Sequence, residues 1–338
     1  MTEPTVVRKR ESVMTTRRNI LATAALALVV SLPLAACSTS DEGTPGSNTV
    51  SVAVLGPGSL QWLHAIAKDQ GFYEDHGVTI EDIQVQNSGA LVQAVASGSA
   101  NAGIALGDNV IKAVDEGADV RITGALIQKP ALRLYGAPGV DDVADLAGTE
   151  VTAGATEGGT YELMLYMLQE AGVDTSGLTP VAIANSSDRV VAMQNDQVQG
   201  ALLIPPFDTL AEDAGANMLG WYDEYWLETP AVVNGPWADE NPEAARGFTQ
   251  GLADAAKFFH DEANAAEVVR VLQEYANVDE AAAQAAYDFI RPNEIFSPDL
   301  SIEEAGLTKI AEISAAVSGK DISGFNPADY IDDSYLKE

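Results

Sequence analysis

Residues 88–108 read SGALVQAVASGSANAGIALGD. Ser88 opens a helical pattern that reaches Ser97, small residues and Gly98 break it, and Ala102 to Leu106 is an apolar run of strand length. At an offset of 98 the chain reads SSDRVVAMQNDQVQGALLIPP over 186–206. Laid on each other without gaps, Ser88 falls on Ser186, Ala94 on Ala192, Ile104 on Leu202, Gly117 on Gly215 and Ala118 on Ala216. Identities are few, and what repeats is a pattern: helix, turn, apolar strand, helix. Both halves are therefore expected to be the same kind of βαβ sheet.

The flanking sequence extends each half. Val50 to Leu55 reads as a strand, Gly56-Pro57-Gly58 as a turn, Ser59 as the N-cap of a helix over 60–70, and Val78 to Gln86 as a second strand. Asp108 is placed to cap a helix that Gly117 stops, and Val120 to Leu126 is a fourth strand. In the second half, strand Glu150 to Ala155 leads through a Gly-rich loop, 156–160, into an apolar helix from Tyr161 to Ala171. Strand Thr179 to Ala184, helix Ser187 to Asn195, strand Ala201 to Ile204 and a helix ending near Gly215 complete it. Short β-branched runs alternating with helical patterns mark an α/β protein with largely parallel sheets.

In such sheets a ligand sits beyond the carboxyl ends of the strands, where helix N-termini present unpaired N–H groups. Two facing lobes would make a cleft lined by 56–62, 87–90 and 106–109 from the first and by 155–161, 185–188 and 204–207 from the second. The candidate ligand contacts are Gly58, Ser59, Trp62, Ser88, Gly89, Gly107 and Asp108, then Arg133, Glu157, Gly158, Gly159, Thr160, Tyr161, Pro206 and Phe207. Glycines permit close backbone approach, and Trp62, Tyr161 and Phe207 could serve as flat apolar walls. Arg133 and Arg189 are the basic side chains near these loops.

The N-terminus bears on compartment. Basic residues Arg8, Lys9, Arg10, Arg17 and Arg18 precede an apolar run, Ile20 to Leu32, that meets Leu34-Ala35-Ala36-Cys37. A run of 13 residues is short of the roughly 20 a spanning helix needs, so it reads as the core of a signal peptide over 1–36. Thr16 to Leu21 also resembles a twin-arginine export motif, and Met14 is an alternative start. LAAC resembles a lipobox, implying cleavage before Cys37 and diacylglyceryl attachment to its sulfur. Residues 37–48, CSTSDEGTPGSN, form a polar tether. The 290 residues that follow are too many for one small core and suit two domains.

With five of 18 basic and two of 50 acidic residues in the first 36, the exported part carries 13 basic against 48 acidic side chains, a formal charge of −35. Such a surface attracts neither nucleic acid nor anionic lipid. Cys37 is the sole cysteine, and His64, His76 and His260 are too scattered for metal-ligand spacing, so no cofactor or metal is expected.

The stretches AIAKDQGFYEDHGVTIEDIQ (65–84), residues 88–108, EGADVRITGAL (116–126), DLAGTEVTAGATEGGTYELMLYMLQEAGVD (145–174) and NDQVQGALLIPP (195–206) together resemble the nitrate/sulfonate/taurine and thiamine-precursor group of periplasmic binding proteins. The chain departs from that pattern at Asn101, where Asp is common, and over 196–199, where Gly-x-Val-Asp is common. The resemblance implies a type II periplasmic binding fold, with lobe I over 49–132 and 232–338 and lobe II over 133–231. Crossovers are expected near Gln128 to Gly136 and Glu228 to Gly235, with alanine-rich helices from Asn241 onward completing lobe I. It further implies a monomer that hands a small ligand to an ABC permease and its ATPase. The expected ligand is an organic anion or zwitterion, with a nitrogen heterocycle as the alternative. Enzymes share the fold, but the cleft loops hold no nucleophile beside a histidine, and His64 has no evident carboxylate partner in sequence.

Overall fold

The computed structural model describes residues 48–337. The signal peptide, Cys37 and nearly all of the tether lie outside these residues. In chain order the strands are β1 (Thr49–Val54), β2 (Thr79–Gln84), β3 (Ala102–Ile104), β4 (Val120–Ile127), β5 (Arg133–Gly136), β6 (Glu150–Thr152), β7 (Thr179–Pro180), β8 (Gly200–Leu203), β9 (Asn217–Trp221) and β10 (Thr229–Asn234). The helices are α1 (Trp62–Asp69), α2 (Phe72–Asp75), α3 (Ser88–Ala96), α4 (Gly107–Asp115), α5 (Gly159–Glu170), α6 (Ser186–Gln194), α7 (Phe207–Asp213), α8 (Gly235–Glu240), α9 (Pro242–His260), α10 (Ala265–Ala276), α11 (Glu280–Ile290) and α12 (Glu304–Ser318).

Two five-stranded sheets share one strand order, β2-β1-β3-β10-β4 and β7-β6-β8-β5-β9. Within each, the fourth strand alone runs antiparallel to its neighbours. That strand is the one delivered from the other lobe: β5 follows β4 and β10 follows β9. The sequence repeat is realised in space, since α3 and α6 begin and end 98 residues apart, and Gly117 and Gly215 take the same left-handed turn at φ 96° and 93°. This is the two-lobed α/β architecture the pattern implies.

Burial follows position. All six residues of β10 are buried, as an inner strand covered on both faces requires. Edge strand β2 has only exposed and half-buried residues and carries Glu81 and Asp82, charges that deter edge-to-edge pairing. The core of the first lobe centres on Trp62, which is fully buried, donates its Nε1–H to the Val268 carbonyl at 3.0 Å, and meets the rings of Phe259 and Phe296 edge-on at 5.2 and 6.0 Å.

The lobe boundaries shift from the expectation. β10 pairs with β3 and β4, so the border drawn at 231/232 cuts a strand of the first sheet. Pro230 is what obscured it: proline in an inner strand is tolerated beside an irregularity, and the ladder shifts register at Thr229/Pro230. The crossovers are therefore the shorter segments 128–132 and 222–228. They are laced together, Trp226 N–H donating to the Gln128 carbonyl at 2.9 Å and Trp221 Nε1–H to the Pro130 carbonyl at 2.8 Å. The C-terminal helices do not serve the first lobe alone. α9 and α10 pack on α1, whereas α11 touches α7 and α12 lies against α5 as well as α4, with Ser318 Oγ donating to Glu162 at 2.6 Å.

Candidate functional site

A cavity of about 470 Å³ lies between the lobes at the carboxyl ends of the strands, within the size range of small-molecule sites. The N-terminal ends of α3, α4, α5 and α6 all open into it, through Asn87 to Gly89, Leu106 with Asp108 and Asn109, Gly158 with Thr160, and Asn185 with Ser186. The symmetric pairs Asn87-Ser88 and Asn185-Ser186 face it from opposite lobes. Asn87, rather than Ser88, is the N-cap of α3, its side-chain oxygen accepting from Ala90 N–H at 2.9 Å. Ser88 is thereby left as the first helical residue.

Of the expected contacts, Ser88, Gly89, Asp108, Glu157, Gly158 and Thr160 line the cavity. The others lie outside it. Trp62 points away into the core of the first lobe. Tyr161 packs half-buried against the hydrophobic core. Gly58, Ser59, Pro206 and Phe207 form the seam where the lobes touch: Ser59 N–H donates to the Pro205 carbonyl at 3.0 Å, and Gly58 backs onto Ile204 and Phe207. Gly107 has its Cα against the Leu227 carbonyl, where a Cβ would come within 2.3 Å of that oxygen. Arg133 is committed elsewhere. Its Nε–H donates to Asp208 at 2.9 Å, its Nη2 also reaches that fully buried carboxylate, and its guanidinium lies 4.0 Å from the Phe289 ring centre. This ion pair joins β5 to α7 beneath the site.

Asp108 does not cap its own helix. Its Oδ2 accepts from the Gly159 N–H at 2.7 Å, so a first-lobe carboxylate caps α5 of the second lobe. Burial raises its pKa, against the hydrogen bonds from Gly159 and Asn109. Gly159 is required by this approach, since a Cβ there would sit 2.5 Å from the Asp108 Cβ. Gly159→Ala keeps a good helix residue at a helical position and obstructs only this contact. Losing this interlobe hydrogen bond costs about 1 kcal/mol, so a small fall in melting temperature is expected, together with a loss of ligand affinity of up to about tenfold by calorimetry because the lobes meet here.

Two ionisable side chains that line the cavity were not among the candidate contacts. Arg189 on α6 is buried, and its guanidinium donates to the carbonyls of Ile183, Ala184 and Leu202 at 2.9, 2.7 and 2.6 Å. Burial lowers its pKa to about 10, so it stays cationic at neutral pH. β7 ends at Pro180 instead of running to Ala184, and the Ile183 and Ala184 carbonyls beyond it are held by Arg189. Glu228, at the end of the second crossover, is fully buried, and burial lifts its pKa to about 8 against the opposing effects of the Ala131 N–H and Arg189.

His64 has the carboxylate partner that sequence did not reveal. Its Nε2 lies 3.0 Å from Asp82 and its Nδ1 2.7 Å from the Tyr73 hydroxyl. The ring is buried on the far side of α1, away from the cleft, and burial lowers its pKa. Among the described residues no group of His, Cys, Asp and Glu side chains could hold a metal ion.

The NMT1/THI5 like family model matches residues 64–266 of the 338. The chain belongs to the NMT1/THI5-like family. The matched span includes both crossovers and every residue lining the cavity from Gln86 to Glu228. No curated protein sequence matches the chain. Solved structures share the family fold at low identity. A protein from Bordetella bronchiseptica RB50 is 21% identical with a TM-score of 0.75, covering 86% of this chain and 96% of that one. The alkanesulfonate-binding protein SsuA from Xanthomonas axonopodis pv. citri, bound to MOPS, is 17% identical with a TM-score of 0.65, covering 80% and 91%. The periplasmic nitrate-binding protein NrtA from Synechocystis PCC 6803 is 12% identical with a TM-score of 0.71, covering 86% and 87%.

Proposed function

We propose that this protein is the ligand-capturing component of an ABC importer, closing its lobes on a small organic anion or zwitterion and delivering it to a permease driven by an ATPase. The observation that carries this reading is the convergence of four helix N-termini and the Arg189 cation on one interlobe cavity. Unpaired N–H groups and the positive ends of the helix dipoles favour negative charge there. The formal surface charge of −35 does not oppose it, because exposed charges beyond about 8 Å are screened at physiological salt. Alkanesulfonate and nitrate, named for two structural neighbours, are ligands of this kind.

A nitrogen heterocycle is the second reading. The buried Asp108 Oδ1 and Glu228 Oε1 have no partner among the described residues and could accept N–H donors. A thermal-shift screen separates the two, since a ligand that binds only the folded state raises the melting temperature by mass action. Sulfonates, nitrate or carboxylates are expected to raise it; a response confined to thiamine-type heterocycles would overturn the anion reading.

We further propose that Cys37 carries a lipid anchor at the outer face of the cytoplasmic membrane and that the protein acts as a monomer. Among the described residues no helix is long and apolar enough to cross a membrane. Cys37→Ser is expected to shift the protein from the membrane pellet to the soluble fraction, or to leave an uncleaved precursor. A wild-type protein recovered soluble with a free Cys37 thiol would contradict the anchor. One acyl chain binds membranes only weakly, so an N-terminal acyl chain is expected beside the diacylglyceryl group.

A further inference from the structure

Glu228 has one oxygen that neither the fold nor the site employs. Its Oε2 accepts the Ala131 N–H at 2.6 Å, tying the second crossover to the first. Its Oε1 is buried, has no partner among the described residues, and belongs to a side chain that lines the cavity. A buried carboxylate is tolerated when ionised only if a cation or a full set of donors surrounds it. Among the described residues the one cationic side chain lining the cavity is Arg189; three of its N–H donors go to backbone carbonyls, and its charge acts on Glu228 without a hydrogen bond between them. The other titratable groups facing the cavity are acids: Asp108 at the start of α4 and Glu157 in the loop before α5. Burial, the unpartnered Oε1 and the neighbouring acids favour the neutral form, and burial outweighs the Ala131 N–H and the Arg189 charge, which favour the carboxylate. Since Oε2 is already engaged by an N–H donor, the proton belongs on Oε1, the oxygen left without a partner.

We propose that Glu228 meets the ligand as a neutral carboxylic acid, its Oε1–H donating a hydrogen bond to the ligand's oxyanion, so that capture depends on this proton being retained. The proposal rests on the anion reading above and adds to it a donor that sequence would count as an acid. It makes the cavity more cationic than its residue types suggest, because a neutral Glu228 leaves the Arg189 charge uncompensated. Ionisation of Glu228, centred near pH 8, removes the donor and sets a like charge against the ligand.

The test has one arm with ligand and one without. With ethanesulfonate as the probe, the wild-type dissociation constant is expected to rise up to tenfold per pH unit above about 8, the limit for linkage to a single proton. Glu228→Gln imitates the neutral acid, its amide oxygen accepting from Ala131 and its Nε2 donating to the cavity. It is expected to bind within about threefold of wild type at pH 7, one neutral donor replacing another, and to keep that affinity at pH 9. Without ligand, infrared difference spectra between pH 7 and pH 9.5 should show loss of a protonated-carboxyl band in wild type and in Asp108→Asn, but not in Glu228→Gln. Absence of the Glu228 band, a tenfold or greater loss in Glu228→Gln at pH 7, or tighter wild-type binding above pH 8 overturns the proposal while the anion reading stands. A Glu228 band in a protein that binds no anionic probe at any pH overturns the oxyanion half of the proposal together with the anion reading.

Discussion

Ser88→Asp is expected to weaken capture of an anionic ligand at least a hundredfold without unfolding the protein. Ser88 is the first residue of α3 and lines the cavity half-buried. An aspartate there stabilises the helix, because a negative charge in the first turn complements the dipole. Against a bound anion the same charge is repulsive: two unit charges about 4 Å apart near a protein surface interact by roughly 4 kcal/mol, of which salt removes part. Calorimetry with an alkanesulfonate, alongside a thermal melt showing the variant at or above wild-type stability, measures both effects. Unchanged or tighter binding of the wild-type ligand by Ser88→Asp would instead favour a ligand that presents N–H donors or positive charge to this end of the cavity.

Trp62→Ala is expected to behave in the opposite way, costing about 4 kcal/mol of stability by urea denaturation while leaving affinity within about twofold under folding conditions. The indole is fully buried against Phe259 and Phe296, and its Nε1–H satisfies the Val268 carbonyl. Its removal leaves a large cavity in the first lobe and takes a hydrogen bond from the Val268 carbonyl. The cleft wall beside it is made by Leu60, on the same turn of chain but the other face. Complete loss of ligand binding by a folded Trp62→Ala protein would return this residue to the site.

How far the sequence was legible depends on how local each feature is. The repeat at an offset of 98 located α3 against α6 and β3 against β8, because helix and strand periods are written in consecutive residues. The cleft loops followed from the same pattern, and six of the proposed contacts line the cavity. What failed was orientation and partnership. Trp62 sits in a cleft-side segment yet turns inward, since one turn of helix separates a cavity face from a core face. Arg133 looked free because Asp208, its partner, is 75 residues away. Glu228 looked like a linker residue, and its role appears only once the two crossovers are side by side, with Ala131 97 residues distant joined to it. Asp108 read as an N-cap of its own helix because capping is ordinarily local; here it caps α5 of the facing lobe.

The central claim, that the interlobe cavity captures an anionic group on converging helix N-termini, is tested most directly by a crystal structure of the wild-type protein with the probe that the thermal-shift screen selects. The account predicts the ligand's anionic group within hydrogen-bond distance of backbone N–H groups at the start of α3 or α6, beside Arg189. A ligand whose anionic end faces solvent, or one bound through N–H donors to Asp108 and Glu228 with the helix N-termini left uncontacted, would contradict it.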